Sequence, residues 1–145
     1  GADRVMLAVL VNAYREETVE GEQEGRTVLR LHPALAPITA GVFPLTKKDG
    51  QPEMAERLAA DLRKQFAVFY DDAGAIGRRY RRQDEAGTPF GITIDPDSTK
   101  NDDVTIRFRD DLQQIRVSAS RVGAVIGAYL ASDLPTAEAP KGQQA

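Results

Sequence analysis

The chain of 145 residues has no cysteine and no tryptophan, and a single histidine, His32. The missing cysteines exclude disulfides and thiolate metal sites, and suit a reducing, cytoplasmic setting. One histidine with no cysteine excludes a histidine-based nucleophilic triad. His32 stands just before Pro33 in a loop-like stretch, and alone it cannot build a metal site, so none is expected. No apolar run reaches the roughly 18 residues a membrane helix needs, so no membrane partner is expected. Residues 1–4 lack the basic leader and cleavage site of a signal peptide. The glycines of Gly74-Ala75-Ile76-Gly77 are too few and too close for a dinucleotide or Walker phosphate loop. What remains, with 41% hydrophobic and 28% charged residues, is the composition of one globular domain plus flanking pieces.

Against these absences stands one concentration. Arg78, Arg79, Arg81 and Arg82 surround Tyr80, in a chain of net charge −3. Such a local cluster points to a specific anionic partner, or else to a solvated helix face paired with Asp84 and Glu85. Asp71 and Asp72 precede it at a strand end, where turn formation and capping fit better than acid–base work.

Residues 3–17 read as a helix, with Asp3 as its cap. Residues 5–11 are apolar nearly all round, so the helix is expected to be buried, against neighbours this chain does not supply. Residues 18–27 are acidic and glycine-containing, and read as a loop or linker. Residues 28–31 read as a strand or an extended arm. Pro33 and Pro37 break any helix, and the domain boundary is placed there.

From residue 36 the pattern changes. Residues 38–45 form a mostly apolar strand, 52–66 a helix with one apolar stripe, and 67–70 a second strand. That is a βαβ unit with parallel strands. Residues 75–86 form the basic helix, stopped by Gly87 and Pro89. Three strands follow, each with one apolar face: 90–94, 104–109 and 114–117. The polar stretch 96–103 between the first two reads as a loop. A last helix, capped by Ser118 or Ser120, ends near residue 132, and 133–145 is expected to be disordered. The fold class is therefore α/β: a mixed five-stranded sheet flanked by three helices, preceded by one helix of another domain.

In such sheets ligands gather outside the carboxyl ends of the parallel strands. That edge collects Thr46, Lys47, Lys48, Asp71 and Asp72, with the loop that holds Asp97 nearby. Arg107 and Arg109 share one strand face by alternation. Arginine forks beside carboxylates suit the reading of bases in a single-stranded loop, or form a salt-bridge ladder on a solvated face.

The residues also carry a resemblance. Ala36-Pro37-Ile38 through Val42-Phe43-Pro44-Leu45-Thr46-Lys47-Lys48 resembles the first strand of the anticodon-binding domain of class IIa aminoacyl-tRNA synthetases. Tyr70-Asp71-Asp72, the run from Ile76 to Glu85, Gly87-Thr88-Pro89-Phe90, and Val104 to Asp110 with Gln114 to Val117 resemble the homodimeric type of glycyl-tRNA synthetase. Gly1-Ala2-Asp3-Arg4 before the apolar helix resembles class II motif 3, where the family's arginine contacts ATP; Arg4 takes that position. The resemblance implies a remnant of the catalytic domain in residues 1–17, a linker in 18–35 and an anticodon-binding domain in 36–132. Motifs 1 and 2 and the glycine pocket lie outside this chain, so it should neither activate glycine nor charge tRNA alone. The parent enzyme would be a homodimer using ATP and Mg2+ to charge tRNA-Gly, while this part, needing no cofactor, binds the anticodon loop. The family implies Asp72, Asp97, Arg107 and Arg109 as base readers, and Lys47, Lys48, Arg79 and Arg82 as backbone contacts. Phe108 departs from the polar residue of many relatives, and alternation turns it inward. The alternative is a non-catalytic accessory module that reuses the domain for protein or nucleic-acid contacts.

Overall fold

Strands with one apolar face need something to cover it, and helices supply the cover on both sides of this sheet. A computed structural model describes residues 1–21 and 23–132; the tail expected to be disordered lies outside them. The elements are α1 (Ala2–Ala13), β1 (Tyr14–Glu17), β2 (Arg26–Leu29), β3 (Ala40–Pro44), α2 (Gln51–Leu62) and β4 (Val68–Tyr70). They continue with α3 (Ile76–Ala86), β5 (Phe90–Ile94), α4 (Pro96–Asn101), β6 (Asp103–Phe108), β7 (Gln114–Ser118) and α5 (Val122–Ala131).

The main sheet has the order β4-β3-β5-β6-β7. β3 is parallel to both β4 and β5, and β5, β6 and β7 are mutually antiparallel, so the predicted mixed five-stranded sheet is present. On its first face Val42, Ile92, Ile94, Val104, Ile106 and Phe108 are buried against α2 and α5. The rings of Phe90, Phe108 and Tyr129 meet there, with Phe108 and Tyr129 centroids 4.7 Å apart. Phe108 thus points inward, as the alternation requires.

The second face is covered by α3. Alternation brings Gly41, Phe43, Gly91, Thr93, Thr105 and Arg107 to it. A Cβ on Gly91 would sit 2.4 Å from the Tyr80 ring, so glycine is what lets α3 lie this close. Tyr80 stands edge-on to Phe43, centroids 5.2 Å apart. Gly87 ends α3 with φ of 81°, the left-handed cap that its sequence position predicts.

Several expectations need correction. α1 stops at Ala13, and residues 14–17, expected to continue it, pair as β1 with β2 in an antiparallel hairpin. The Arg15 guanidinium donates to the carbonyls of Asn12 and Tyr14 at this break. Asp3 is no cap: it lies in the first turn, after the cap position Gly1. Within this chain the apolar side chains of α1 find no cover, since Val5, Met6, Leu7 and Val11 are 59–67% exposed, which leaves open the expectation of neighbours from outside it. Part of the stretch expected as linker is β2, whose Arg26 and Val28 are buried where the hairpin packs on α3. The polar loop after β5 is α4: Asp95 accepts from the N–H groups of Asp97 and Ser98, and the Ser98 hydroxyl donates back to the Asp95 side chain and caps its backbone N–H. Neither Ser118 nor Ser120 caps α5; a 3-10 turn, Ala119–Arg121, leads into it without a serine side-chain bond.

Candidate nucleic-acid interface

The carboxyl ends of β3, β4 and β5 form one rim. After β3 comes an exposed turn of residues 45–50, whose last two residues, Asp49 and Gly50, are left-handed. Gln51, fully buried, holds it from below: its side-chain oxygen accepts the Thr46 N–H at 2.9 Å and its own N–H donates to the Lys48 carbonyl at 3.1 Å. Lys47 and Lys48 are therefore presented outward. Lys47 reaches Asp72 across the rim at 3.1 Å; Lys47 is well exposed and Asp72 half-buried. Asp71 is buried and shapes the turn after β4 by accepting the Ala73 N–H. Arg82, half exposed, pairs with Asp71 at 2.8 Å and donates to the Ala73 carbonyl. Asp97 is exposed in the first turn of α4, 3.8 Å from Lys100. The rim thus brings together Lys47, Lys48, Asp72, Arg82 and Asp97 of the expected set.

Three expected contacts are not on the surface. Arg79 is buried, and its guanidinium donates to the carbonyls of Gly74 and Pro44, tying the β4–α3 turn to the end of β3. Arg107 is 8% exposed; it forks onto Asp84 of α3 at 3.1 and 3.2 Å and stacks 4.5 Å from the Tyr80 ring centroid. Arg109 lies past the end of β6, 2% exposed, donating to the carbonyls of Gly87 and Leu31 and to the Asp110 carboxylate. These side chains hold the scaffold, because each is buried and donates to groups within the fold. Arg4 is exposed on the first turn of α1.

The sequence reading missed one cluster. At the end of the second face, Arg116 of β7 forks onto Asp95 at 2.8 and 3.0 Å and donates to Asp103 at 2.6 Å. The guanidinium and the Ser98 N–H and hydroxyl hold the Asp95 carboxyl far below the usual carboxylate range, although partial burial opposes this. The same carboxylates push the Arg116 guanidinium up. Asp95 and Arg116 therefore stay charged at any physiological pH. The pairing Thr105↔Arg116 follows from the β6–β7 register, so the signal in the sequence was the alternation in β7, which places Arg116 opposite the apolar face.

Residues 39–129 match the family model described as "Anticodon binding domain". Two curated relatives are glycine–tRNA ligases. That of Rhodopirellula baltica is 54% identical over 125 residues, covering 84% of this chain and 23% of the relative. That of Caldanaerobacter subterraneus subsp. tengcongensis is 57% identical over 122 residues, covering 84% and 26%. The chain therefore spans about a quarter of the length of these relatives. Among solved structures, a prolyl-tRNA synthetase from Cryptosporidium parvum, complexed with L-proline and AMP, superposes with a TM-score of 0.66 at 21% identity, over 71% of this chain and 24% of that one. That likeness bears on the fold.

Proposed function

Because the chain belongs to the family of anticodon binding domains, we propose that it is the C-terminal, anticodon-reading part of a class IIa glycine–tRNA ligase. The observation that carries this is the identity above one half with glycine–tRNA ligases over most of the chain. The rim fits the task. Lys47, Lys48 and Arg82 offer exposed cations to phosphates, while Asp72 and Asp97 offer acceptors to base amino groups. Alternating signs along one edge favour a splayed single-stranded loop over a duplex, whose regular phosphate rows call for a basic stripe.

Glycine activation and transfer, with ATP as substrate and Mg2+, belong to the parent enzyme. This chain offers Arg4 as its ATP contact and does not complete an active site. The exposed apolar surface of α1 supports a catalytic domain packed against it; the parent enzyme is proposed to be cytoplasmic and homodimeric from the family resemblance alone.

The test is a titration of this chain, at fixed salt, against the anticodon stem-loop of tRNA-Gly and against loops altered at the second and third anticodon bases. Tighter binding to the glycine anticodon is expected. Equal affinity for all the loops would overturn the reading.

A further inference from the structure

α1 is exposed on almost every side, so packing along its length does not set its direction. What sets it lies at its root. The last carbonyls of a helix have no partner within it. Here the hairpin supplies the donors. The Tyr14 N–H donates to the Leu10 carbonyl, the Arg15 side chain to the Asn12 carbonyl at 2.7 Å, and the Arg30 N–H to the Ala13 carbonyl at 2.7 Å. Ala13 is the one buried residue of the helix. α1 is thus fastened end-on to the β1–β2 hairpin.

The hairpin is in turn tied to the sheet by charge. Glu17, the last residue of β1, takes Arg26 of β2 on one carboxylate oxygen, at 2.7 and 3.0 Å, and Arg30 on the other, at 2.6 Å. Arg26 Nη1 stands 3.4 Å from the Asp84 carboxylate of α3, an ionic contact without a formed hydrogen bond. Asp84 holds Arg107 of β6. On the other side Arg30 donates to the Asp110 carbonyl at 3.0 Å, and Arg109 to the Leu31 carbonyl at 2.7 Å. Charges of alternating sign therefore run from Arg107 through Asp84, Arg26, Glu17 and Arg30 to the turn after β6. The path leaves β6 and comes back to its end. It is a poor source of stability, because taking paired charges out of water offsets what the pairing returns. The Arg26 and Asp84 side chains are each 1% exposed. What a planar guanidinium does supply is direction, since its donors leave it in a fixed fork.

We propose that the β1–β2 hairpin, with Arg30 and Leu31, is a strap that holds α1 at one angle to the sheet, and that Arg26 is its positioning residue. The consequence is mechanical. A helix of 12 residues is about 18 Å long, so a small rotation at its root carries its far end, where Arg4 stands, through several ångströms. Whatever packs on the exposed apolar side of α1 is thereby held in register with the rim. The inference goes beyond the anticodon reading and stands apart from it, because it needs only the geometry of the strap.

The chain has no cysteine, so two introduced cysteines take spin labels at two chosen places only. Ala8→Cys in α1 with Ala60→Cys in α2 reads the angle of α1. Ala60→Cys with Ala128→Cys in α5 reads the sheet and its helices alone; all three alanines are exposed. Pulsed electron paramagnetic resonance, with labelled chain diluted in unlabelled chain, is expected to give one narrow distance distribution for each pair. Arg26→Met keeps a long stem and removes the charge. It is expected to widen the α1 distribution about two-fold or more, because the lever is long, and to leave the α5 pair unchanged. Glu17→Gln, the milder change, is expected to widen the α1 distribution less. A broad α1 distribution in the otherwise wild-type chain, or a narrow one in both variants, overturns the strap. Broadening of both pairs together overturns it too, since Arg26 would then serve the fold of the sheet and not the angle of α1.

Discussion

An arginine that is 2% exposed still has to place five N–H donors. Arg109 places four of them, on the carbonyls of Gly87 and Leu31, 22 and 78 residues away in sequence, and on both oxygens of its neighbour Asp110. Removing the side chain leaves two buried carbonyls without their donor, at a cost of roughly 1–3 kcal/mol for each unsatisfied group. Arg109→Ala is therefore expected to lower stability by about 2–4 kcal/mol in urea denaturation, with the affinity of the folded protein for the stem-loop unchanged. Lost affinity at full stability would return Arg109 to the interface. Asp84 shows the same logic from the acceptor side. It is 1% exposed and holds Arg26, Arg81 and Arg107 within 3.4 Å. None of this was legible in the sequence. Arg79, Arg107 and Arg109 look like surface cations in any local window, because the acceptors that bury them come from other elements. Lys47, Lys48 and Asp72 were legible because a turn after a parallel strand is exposed by topology alone.

At the scale of elements, the boundaries that local chemistry marks were readable and those set by a distant partner were not. Gly87 stops α3 where its φ of 81° requires it, and the alternation in residues 90–94 and 104–108 locates β5 and β6. α4 reads as a loop in the sequence although its signal is local: Asp95, Pro96 and Ser98 are a cap, a first-turn proline and a reciprocal partner. By contrast, nothing local announces that residues 14–17 leave the helix to pair with β2; their strand exists because residues 26–29 lie opposite. β2 is in turn fixed by α3, through Arg26 buried between Glu17 at 2.7 Å and Asp84. Burial opposes the charge on Glu17, yet the bonds from Arg26 and Arg30 outweigh it and hold its carboxyl below the ordinary range. α1 lies outside this cooperative set, as its large apolar side chains are exposed and Ala13 is its one buried residue. Leu7→Lys and Val11→Lys are thus expected to change unfolding free energy by no more than about 0.5 kcal/mol, and to reduce any self-association seen in sedimentation. A clear loss of stability would mean that α1 is bound into the core of this chain.

At the scale of the whole molecule, an acidic protein is proposed to bind an acidic polymer. With a net charge of −3, long-range attraction is absent, so affinity has to come from a few placed contacts. The salt dependence of binding counts them. Each phosphate neutralised on a single strand contributes about 0.7 to the slope of log K against log salt. Six cations were candidates from the sequence: Lys47, Lys48, Arg79, Arg82, Arg107 and Arg109. The fold leaves three of these at the surface, since Arg79, Arg107 and Arg109 are buried and bonded within the fold. The expected slope for the anticodon stem-loop is therefore about −2, whereas six engaged cations would give about −4. A measured value near the larger figure would show that the buried arginines are released on binding, which requires α3 to lift from the sheet and the Asp84 network to open. A value near the smaller one means that the scaffold binds as it stands, and that discrimination resides in the few groups left open at the rim.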